Sequence, residues 1–449
     1  MLFNIAAVAG VRWLAAAAHA GPGSVTLWVL AAVFFFVPSA LAVATLSRRF
    51  PEEGGIYVWT KRGYGDWHGF LCGWCYWLSN LFYFPNLLLA GVSMAGYSMG
   101  LSESKWFVLG LSLTILWMAL LSNLVGLGVG RWVSNTGALA TYAAGVLIVA
   151  AGFIAWSRTG SATPIDVAPQ WDWGKINFWS QIAFAFGGLE LGAVMGGEIR
   201  DPARTIPRAA WISGLAIAAF YILGTLALLA LLPTAEISPI TGLVQAGAAS
   251  AARAGLPWLG FALIALILVG VAGQLGAWIG GSARLPFAIG LDRYLPPAFA
   301  RLHPRWRTPY ISILVQGCAC TLFLLVLQAG ASLQTAYQLA VDMTVITYFI
   351  PFLYLFGASW KFGRRWSAGS GLAVTALAIA FSLVPPAGAG PAWLFELKLA
   401  GGCAFLIGAA RIVFITAKDD RQTVRLGALP DPVPARGAVR PDYPQSPRH

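Results

Sequence analysis

Runs of about twenty apolar residues, repeated along the whole chain, constrain the fold more than any other feature of the sequence. A helix of about 20 residues crosses the hydrocarbon core of a bilayer, which is about 30 Å thick. We count twelve such runs, at roughly 1–19, 25–47, 69–97, 105–127, 137–156, 177–197, 209–232, 258–282, 309–329, 333–357, 369–386 and 391–416. None alternates with the period of two that a membrane β-barrel needs. The sequence therefore predicts an all-α membrane protein with twelve transmembrane helices.

The overall composition excludes the soluble classes of protein. Of the 449 residues, 58% are hydrophobic and only 10% are charged, whereas about 25% are charged in an ordinary soluble domain. The net charge of +12 does not indicate a nucleic-acid partner, because lysine and arginine stand in short clusters between the apolar runs. Such clusters set the orientation of a membrane protein. We therefore expect the lipid bilayer, and not nucleic acid, as the macromolecular environment.

The basic residues predict how the chain is oriented. Sixteen lysines and arginines lie in the even-numbered loops, against five in the opposite loops. The positive-inside rule then places both termini on the cytoplasmic side of the cell membrane. Residues 417–449 contain six prolines and mixed charges, so we expect a disordered cytoplasmic tail after a membrane domain at 1–416. The first run begins at Met1 itself, which leaves open a start further upstream.

Two of the predicted spans contain residues that interrupt a helix near its midpoint. The first reads Ala9-Gly10-Val11-Arg12, and the sixth reads Phe186-Gly187-Gly188-Leu189-Glu190. Glycine destabilises a helix interior by about 1 kcal/mol relative to alanine. Interruptions at corresponding positions of two halves are typical of inverted-repeat transporters with a binding site at the membrane midplane. The alternative is that these glycines only allow close helix packing.

Three ionisable residues, Arg12, Glu190 and Asp342, fall well inside predicted spans. Each charge there is unfavourable by at least about 2.5–3.5 kcal/mol, so an intramembrane charge indicates function. We expect Arg12 and Glu190 to pair, either as a structural ion pair or as one in which a charged substrate replaces a partner. Asp342 either stabilises helix packing through a hydrogen bond or carries a proton. Glu190 and Asp342 are thus the candidates for ion coupling.

Three loop motifs carry a family resemblance. Residues 47–57 read S-R-R-F-P-E-E-G-G-I-Y, and residues 197–208 read G-E-I-R-D-P-A-R-T-I-P-R. Residues 282–288 read S-A-R-L-P-F-A, followed by Leu-Pro at 295–296 and Thr-Pro at 308–309. In this order the motifs resemble those of the amino acid–polyamine–organocation superfamily of secondary transporters, over roughly residues 1–416.

The resemblance implies a leucine-transporter-like fold. Its five-plus-five inverted repeat would occupy about 1–156 and 177–357, with broken helices 1 and 6 and accessory spans at 369–416. The implied function is an amino acid permease that works by alternating access and needs no cofactor or metal.

The resemblance also implies a set of substrate-binding residues. The backbone N–H groups at the first break would bind the substrate carboxylate, the second break would face its amino group and side chain, and two aromatic residues would form walls or gates. With Arg12 and Glu190, the implied set is Ala9, Gly10, Tyr83, Phe186, Gly187, Gly188 and Trp278.

The coupling mode stays open between two alternatives. Residues 258–281 contain no serine or threonine and residues 137–156 contain no lysine, which departs from the sodium-coupled and proton-coupled patterns of the family. Proton symport through Glu190 and substrate exchange both remain. A polyamine or another organic cation that binds Glu190 is the alternative substrate. A membrane-embedded enzyme is less favoured, because no metal set or catalytic dyad lies within the spans. A channel is less favoured, because the three matched motifs favour alternating access.

Overall fold

The computed structural model describes residues 1–102, 104–168, 176–196, 199–328, 333–385 and 392–427, and the described chain is helical without strands. The helices are α1 (Leu2–Val8), α2 (Arg12–Ala20), α3 (Ser24–Ala31), α4 (Val37–Arg49), α5 (Ile56–Tyr64), α6 (Asp66–Tyr97), α7 (Lys105–Leu124), α8 (Leu127–Thr159), α9 (Ile176–Ala185), α10 (Leu191–Val194), α11 (Pro202–Leu231), α12 (Gly242–Ala254), α13 (Leu259–Ser282), α14 (Arg284–Leu291), α15 (Tyr310–Gln328), α16 (Leu333–Phe362), α17 (Arg365–Ser382) and α18 (Ala392–Gly427). A π-helical turn at Ala32–Phe36 joins α3 to α4.

Nine helical segments among the described residues are long and apolar enough to cross a membrane: α3–α4, α6, α7, α8, α11, α13 with α14, α15, α16 and α18. Helices α1 and α2 meet the same test only together, and they are bent by 47° at the break between them. Helix α17 is not among these segments, and neither are the short helices α9 and α10. The total of twelve spans therefore stays a prediction, as does the division into two repeats.

Some helices are longer than the apolar runs that predict them. Helix α8 begins at Leu127 and α11 at Pro202, several residues before the runs that predict them. Helix α18 continues to Gly427, so the prediction of a disordered tail is wrong for residues 417–427. Residues 418–426 contain no glycine or proline that would end a helix. The rest of the predicted tail, 428–449, lies outside the described residues.

The four short helices that flank the two breaks are surrounded by long ones. Helix α1 packs against α8, α11 and α13, while α9 packs against α16 and α17. Helices α8 and α13 approach closely at Gly137 and Gly273, where a Cβ atom on Gly137 would lie 2.4 Å from the Gly273 Cα atom. Small residues allow membrane helices this proximity. The breaks are thus buried at the centre of the bundle.

Candidate functional site

The two interrupted helices are adjacent at their breaks. Helix α1 ends at Val8 and α2 begins at Arg12, while the residues between α9 and α10 form turns. Gly188 has a φ angle of 113°, and a Cβ atom there would lie 3.0 Å from Val8 Cγ2 and 3.2 Å from Trp278 Cζ2. Only glycine adopts this backbone conformation readily. The glycine of the second break therefore allows it to lie directly against the first.

A single phenol on α11 contacts both breaks. The Tyr221 hydroxyl lies in donor geometry 2.8 Å from the Val8 carbonyl oxygen and 3.0 Å from the Ala185 carbonyl oxygen, and it accepts from the Gly10 N–H at 3.3 Å. Its ring is fully buried and stacks on Trp28 with 4.4 Å between the ring centroids. These backbone groups have lost their helical partners, and Tyr221 replaces them.

Helix α13 supplies a second support for the first break. The Trp278 indole N–H and the Gln274 amide both donate to the Ala7 carbonyl oxygen, at 2.7 and 3.1 Å. Both donors are buried. Because a helix break leaves carbonyl groups without helical partners, these bonds hold the end of α1 in place.

Glu190 is bound by two tyrosines. Its Oε1 atom accepts a hydrogen bond from the Tyr76 hydroxyl at 2.7 Å and another from the Tyr348 hydroxyl. Its Oε2 atom accepts from the Gly188 N–H at 3.2 Å. The glutamate is 1% exposed. The tyrosines come from α6 and α16, and nothing in the sequence distinguished them from ordinary apolar positions.

Arg12 lies among aromatic rings. Its guanidinium carbon is 4.2 Å from the Trp13 ring centroid and 5.1 Å from the Tyr83 ring centroid, which is cation–π geometry. The side chain is 3% exposed, and its Nε and Nη1 atoms are buried without a hydrogen-bond partner. Its positive charge is thus buried beside two aromatic rings, and it has no ion-pair partner among the described residues.

The predicted Arg12–Glu190 ion pair is wrong for this conformation. The ion pairs found among the described residues involve Lys61, Arg62 and Arg204 instead, at helix ends and neighbouring loops away from the two breaks. Glu190 is already bound by three donors, while Arg12 rests on rings that are themselves part of a connected group. The two charges therefore occupy different ends of the site.

Five rings, here called the aromatic cluster, connect the two charges. They are Tyr76, Tyr83, Phe184, Trp278 and Tyr348. Successive ring centroids are 5.0 Å apart for Tyr83 and Trp278, 5.9 Å for Trp278 and Tyr348, 5.1 Å for Tyr348 and Phe184, and 6.0 Å for Phe184 and Tyr83. Tyr76 contacts the Tyr348 ring at 5.4 Å. Arg12 lies on the Tyr83 side of the cluster, and Glu190 bonds to the hydroxyls of Tyr76 and Tyr348.

Of the other predicted site residues in the two breaks, some lie at the aromatic cluster and others do not. The Ala9 N–H donates to the Ile5 carbonyl oxygen at 2.9 Å, so the N–H groups of Ala9 and Gly10, expected to receive a carboxylate, both have protein partners. A Cβ atom on Gly187 would lie 2.5 Å from the Tyr348 ring, which places Gly187 at the aromatic cluster. Phe186 instead packs on Trp28, Phe36 and Tyr221.

Asp342, the second coupling candidate, is fully buried on α16. Its two carboxylate oxygens accept hydrogen bonds from the Gln338 amide at 3.1 and 3.0 Å, one turn earlier on the same helix. The bonds given for Glu190 come from other residues. The structure therefore does not join the two coupling candidates by a direct hydrogen bond.

A cavity of about 450 Å³ lies beside the start of α1 and the end of α10, the short helices that precede the first break and follow the second. Its wall includes Asn4 of α1, Gly192 of α10 and Met195, together with Ser134 and Arg131 of α8. Cavities of this size hold small organic ligands. Arg131 is among the basic residues that the positive-inside rule assigns to the cytoplasmic side, so the cavity lies at the end of the bundle that is predicted to be cytoplasmic.

The loop motif at 47–57 packs against the end of α10. The Gly54 N–H donates to the Val194 carbonyl oxygen at 3.0 Å, and a Cβ atom on Gly55 would lie 2.8 Å from the Ala193 carbonyl carbon. Nearby, the Tyr57 hydroxyl and the Lys61 ammonium group both bond to Asp292, the latter at 2.6 Å. Burial, and then Asp292, raise the pKa of Tyr57.

Gly197 and Glu198, which begin the second loop motif, lie outside the described residues.

Comparisons with known proteins agree with this architecture. The chain is 28% identical over 369 residues to an uncharacterised transporter of Legionella pneumophila, covering 80% of this chain and 79% of the relative. It is 28% identical to the serine/threonine exchanger SteT of Bacillus subtilis, covering 76% of each chain. It is 21% identical to a probable agmatine/putrescine antiporter, AguD, of Lactococcus lactis, covering 74% of this chain and 72% of the relative.

Among solved structures, MhsT in complex with L-phenylalanine superimposes with a TM-score of 0.60, covering 93% of this chain and 97% of MhsT at 16% identity. This match confirms the leucine-transporter-like fold. A family model described as amino acid permease matches residues 1–395. The chain is therefore a multi-pass membrane protein that belongs to the amino acid permease family of secondary transporters.

Proposed function

We propose that this protein carries amino acids across the cytoplasmic membrane by alternating access, with the substrate bound between the two helix breaks. The observation that carries the proposal is the position of two buried opposite charges, Arg12 and Glu190, at different ends of one aromatic cluster. An intramembrane charge is retained at considerable free-energy cost, so it indicates a functional site. The close approach of Gly188 to Val8 supports a site at which a movement of one break displaces the other.

The cavity beneath the breaks supports an inward-facing arrangement. In the proposed orientation, with both termini in the cytoplasm, the opening near Arg131 is the cytoplasmic exit and Asn4 lies on the route from the breaks. The substrate would leave along α1 and α10 as the two short helices move. Alternating access requires such a path to be open on one side of the membrane at a time.

Counterflow into proteoliposomes tests this function. Vesicles loaded with one amino acid should accumulate the labelled form of the same amino acid, and the rate should saturate with its external concentration. A channel would instead give flux that is not stimulated by substrate on the opposite side. Gly188→Leu supplies an inactive control of comparable hydrophobicity. Absence of counterflow across a panel of amino acids and diamines would contradict the proposal.

The coupling mode is tested in the same vesicles. If Glu190 carries a coupled proton, an imposed pH gradient should accelerate net uptake by the unmodified protein and by Asp342→Asn, but not by Glu190→Gln. If the protein is an exchanger, uptake should require internal substrate whatever the pH gradient. The comparison assigns coupling to Glu190, to Asp342 or to neither.

A polyamine is the second candidate substrate. Glu190 has hydrogen-bond donors but no cationic side chain as an ion-pair partner in the described structure, which favours a cationic ligand at that end. The similarity to AguD points the same way. A diamine would leave the charge of Arg12 uncompensated, however, whereas a zwitterion balances both. Direct competition between putrescine and neutral amino acids for uptake separates the two substrates.

A further inference from the structure

Arg12 is a buried cation with hydrogen-bond donors that have no acceptor. Its Nε and Nη1 atoms have no hydrogen-bond partner, although the side chain is only 3% exposed. A buried charge is normally paired or hydrogen-bonded, because removal from water is otherwise strongly unfavourable. The rings of Trp13 and Tyr83 offset part of this through their π systems. The planar N–H groups of the guanidinium remain available for an anion.

The backbone donors of the first break do not serve this purpose here. The Gly10 N–H is bonded to Tyr221 and the Ala9 N–H to Ile5. A Cβ atom on Gly10 would lie 2.9 Å from the Trp13 ring, so this ring covers the glycine. Arg12 therefore provides the strong anion-binding donors of the break that have no protein partner.

We propose that Arg12 is the carboxylate anchor of the substrate site. This inference rests on the proposed function and adds the side chain that selects the carboxylate, in place of the backbone N–H groups of Ala9 and Gly10, which have protein partners. The α-carboxylate binds the guanidinium at the Tyr83 end of the aromatic cluster, and the ammonium group points toward Glu190. Arginine suits this role, because its rigid fork of N–H groups matches the two oxygens of a carboxylate.

Glu190 can still accept a hydrogen bond from the ammonium group of such a substrate. Its Oε1 atom accepts two hydrogen bonds and Oε2 accepts one, whereas an ionised carboxylate offers about four lone-pair sites. An ammonium group at Oε2 completes the set without displacing a tyrosine. The aromatic walls between the charges favour an uncharged substrate side chain. Because the rings contact one another, substrate entry moves at least one of them aside.

The test compares amino acids with their primary carboxamides, which keep the ammonium group and side chain but lack the negative charge. Counterflow of a labelled amino acid is inhibited with each compound in turn, using the full-length protein in proteoliposomes. The unmodified protein should prefer the acid by about 10- to 100-fold, the range of a charge-assisted hydrogen-bonded pair. In Arg12→Gln this preference should fall to within about threefold, and Arg12→Lys should retain part of it.

Arg158→Gln is the matched control. Arg158 is an exposed arginine at the end of α8 that donates to the Ala254 carbonyl oxygen, outside the two breaks. It should keep the full preference for the acid. Where Arg12→Gln does not transport, ligand-induced shifts of its melting temperature with the acid and the carboxamide give the same comparison in detergent.

The outcomes separate the anchor from the wider function. Counterflow by Arg12→Gln with an undiminished preference for the acid would overturn the anchor while leaving amino acid transport intact. Lack of any amino acid counterflow by the unmodified protein would contradict the proposed function, and the melting shifts would then still test whether Arg12 binds carboxylates. If replacing chloride by gluconate slowed uptake only when Arg12 is present, and the acid preference survived in Arg12→Gln, Arg12 would bind an inorganic anion and the proposal would be wrong.

Discussion

The Tyr221 hydroxyl lies 2.8 Å from the carbonyl oxygen of Val8, the last residue of α1, and it also contacts the end of α9. One side chain thereby bonds to both interrupted helices. A relative movement of α1 and α9 must break at least one of these contacts, so Tyr221 is well placed to stabilise one conformation over another.

Tyr221→Phe should lower stability and slow transport. The ring would keep its stacking on Trp28, but the Gly10 N–H would lose its acceptor, and the Val8 and Ala185 carbonyl oxygens would lose the one hydroxyl hydrogen that they share. Leaving buried groups unsatisfied lowers the free energy of unfolding by about 1–3 kcal/mol. Melting temperature and counterflow rate are the measurements. Tyr142→Phe is the control, because the Tyr142 hydroxyl is buried without a hydrogen-bond partner, and its removal should be close to neutral.

Gly188→Ala should reduce transport strongly, and Gly188→Leu should abolish it. The φ angle of 113° strains any other residue, and the added Cβ atom would press on Val8 and Trp278 at 3.0 and 3.2 Å. Insertion into the membrane should be preserved, since the hydrophobicity rises. Gly110→Ala is a suitable control, because a Cβ atom on Gly110 meets nothing within 4 Å. Normal uptake by Gly188→Leu would show that the break serves packing alone.

Arg12→Gln and Glu190→Gln should have additive effects on the stability of the substrate-free protein. The two charges form no ion pair in the structure, and the rings given for Arg12 differ from the hydrogen-bond donors of Glu190. The effects of changes at separate sites without shared partners usually add to within about 0.3–0.5 kcal/mol. A double-mutant cycle on the melting transition measures the coupling. Rescue of one variant by the other would instead indicate a direct pair. In uptake assays, by contrast, a shared substrate couples the two residues.

Gly55→Ala should lower the turnover rate with little change in substrate affinity. The added Cβ atom would lie 2.8 Å from the backbone of Ala193 and Val194, at the end of α10. The loop motif is thus predicted to transmit movement of α10, not to bind substrate. Equilibrium binding and counterflow rate are measured together. Gly63→Ala, whose Cβ atom would meet two side chains at ordinary distances of 3.5 and 3.9 Å, should leave both unchanged.

Three features could be predicted because each depends on a short stretch of consecutive residues. They are the apolar runs, the glycine-containing breaks and the intramembrane charges. Helix formation in a bilayer depends on local composition, since every backbone group must be bonded within its own segment. The family motifs are local in the same sense. Arg12 and Glu190 were identified for this reason before their surroundings were known.

Their partners could not be identified in this way. Tyr76 is separated from Glu190 by 114 residues and Tyr348 by 158, and each lies in an apolar run where tyrosine also occurs as an ordinary wall residue. Which hydroxyl reaches Glu190 depends on how α6 and α16 are rotated against the second break. The sequence by itself determined which residues are charged and where the two helices are interrupted. Only the packing of distant helices decided that the charges are held apart, because side-chain contacts depend on helix rotation and depth, which no local pattern encodes.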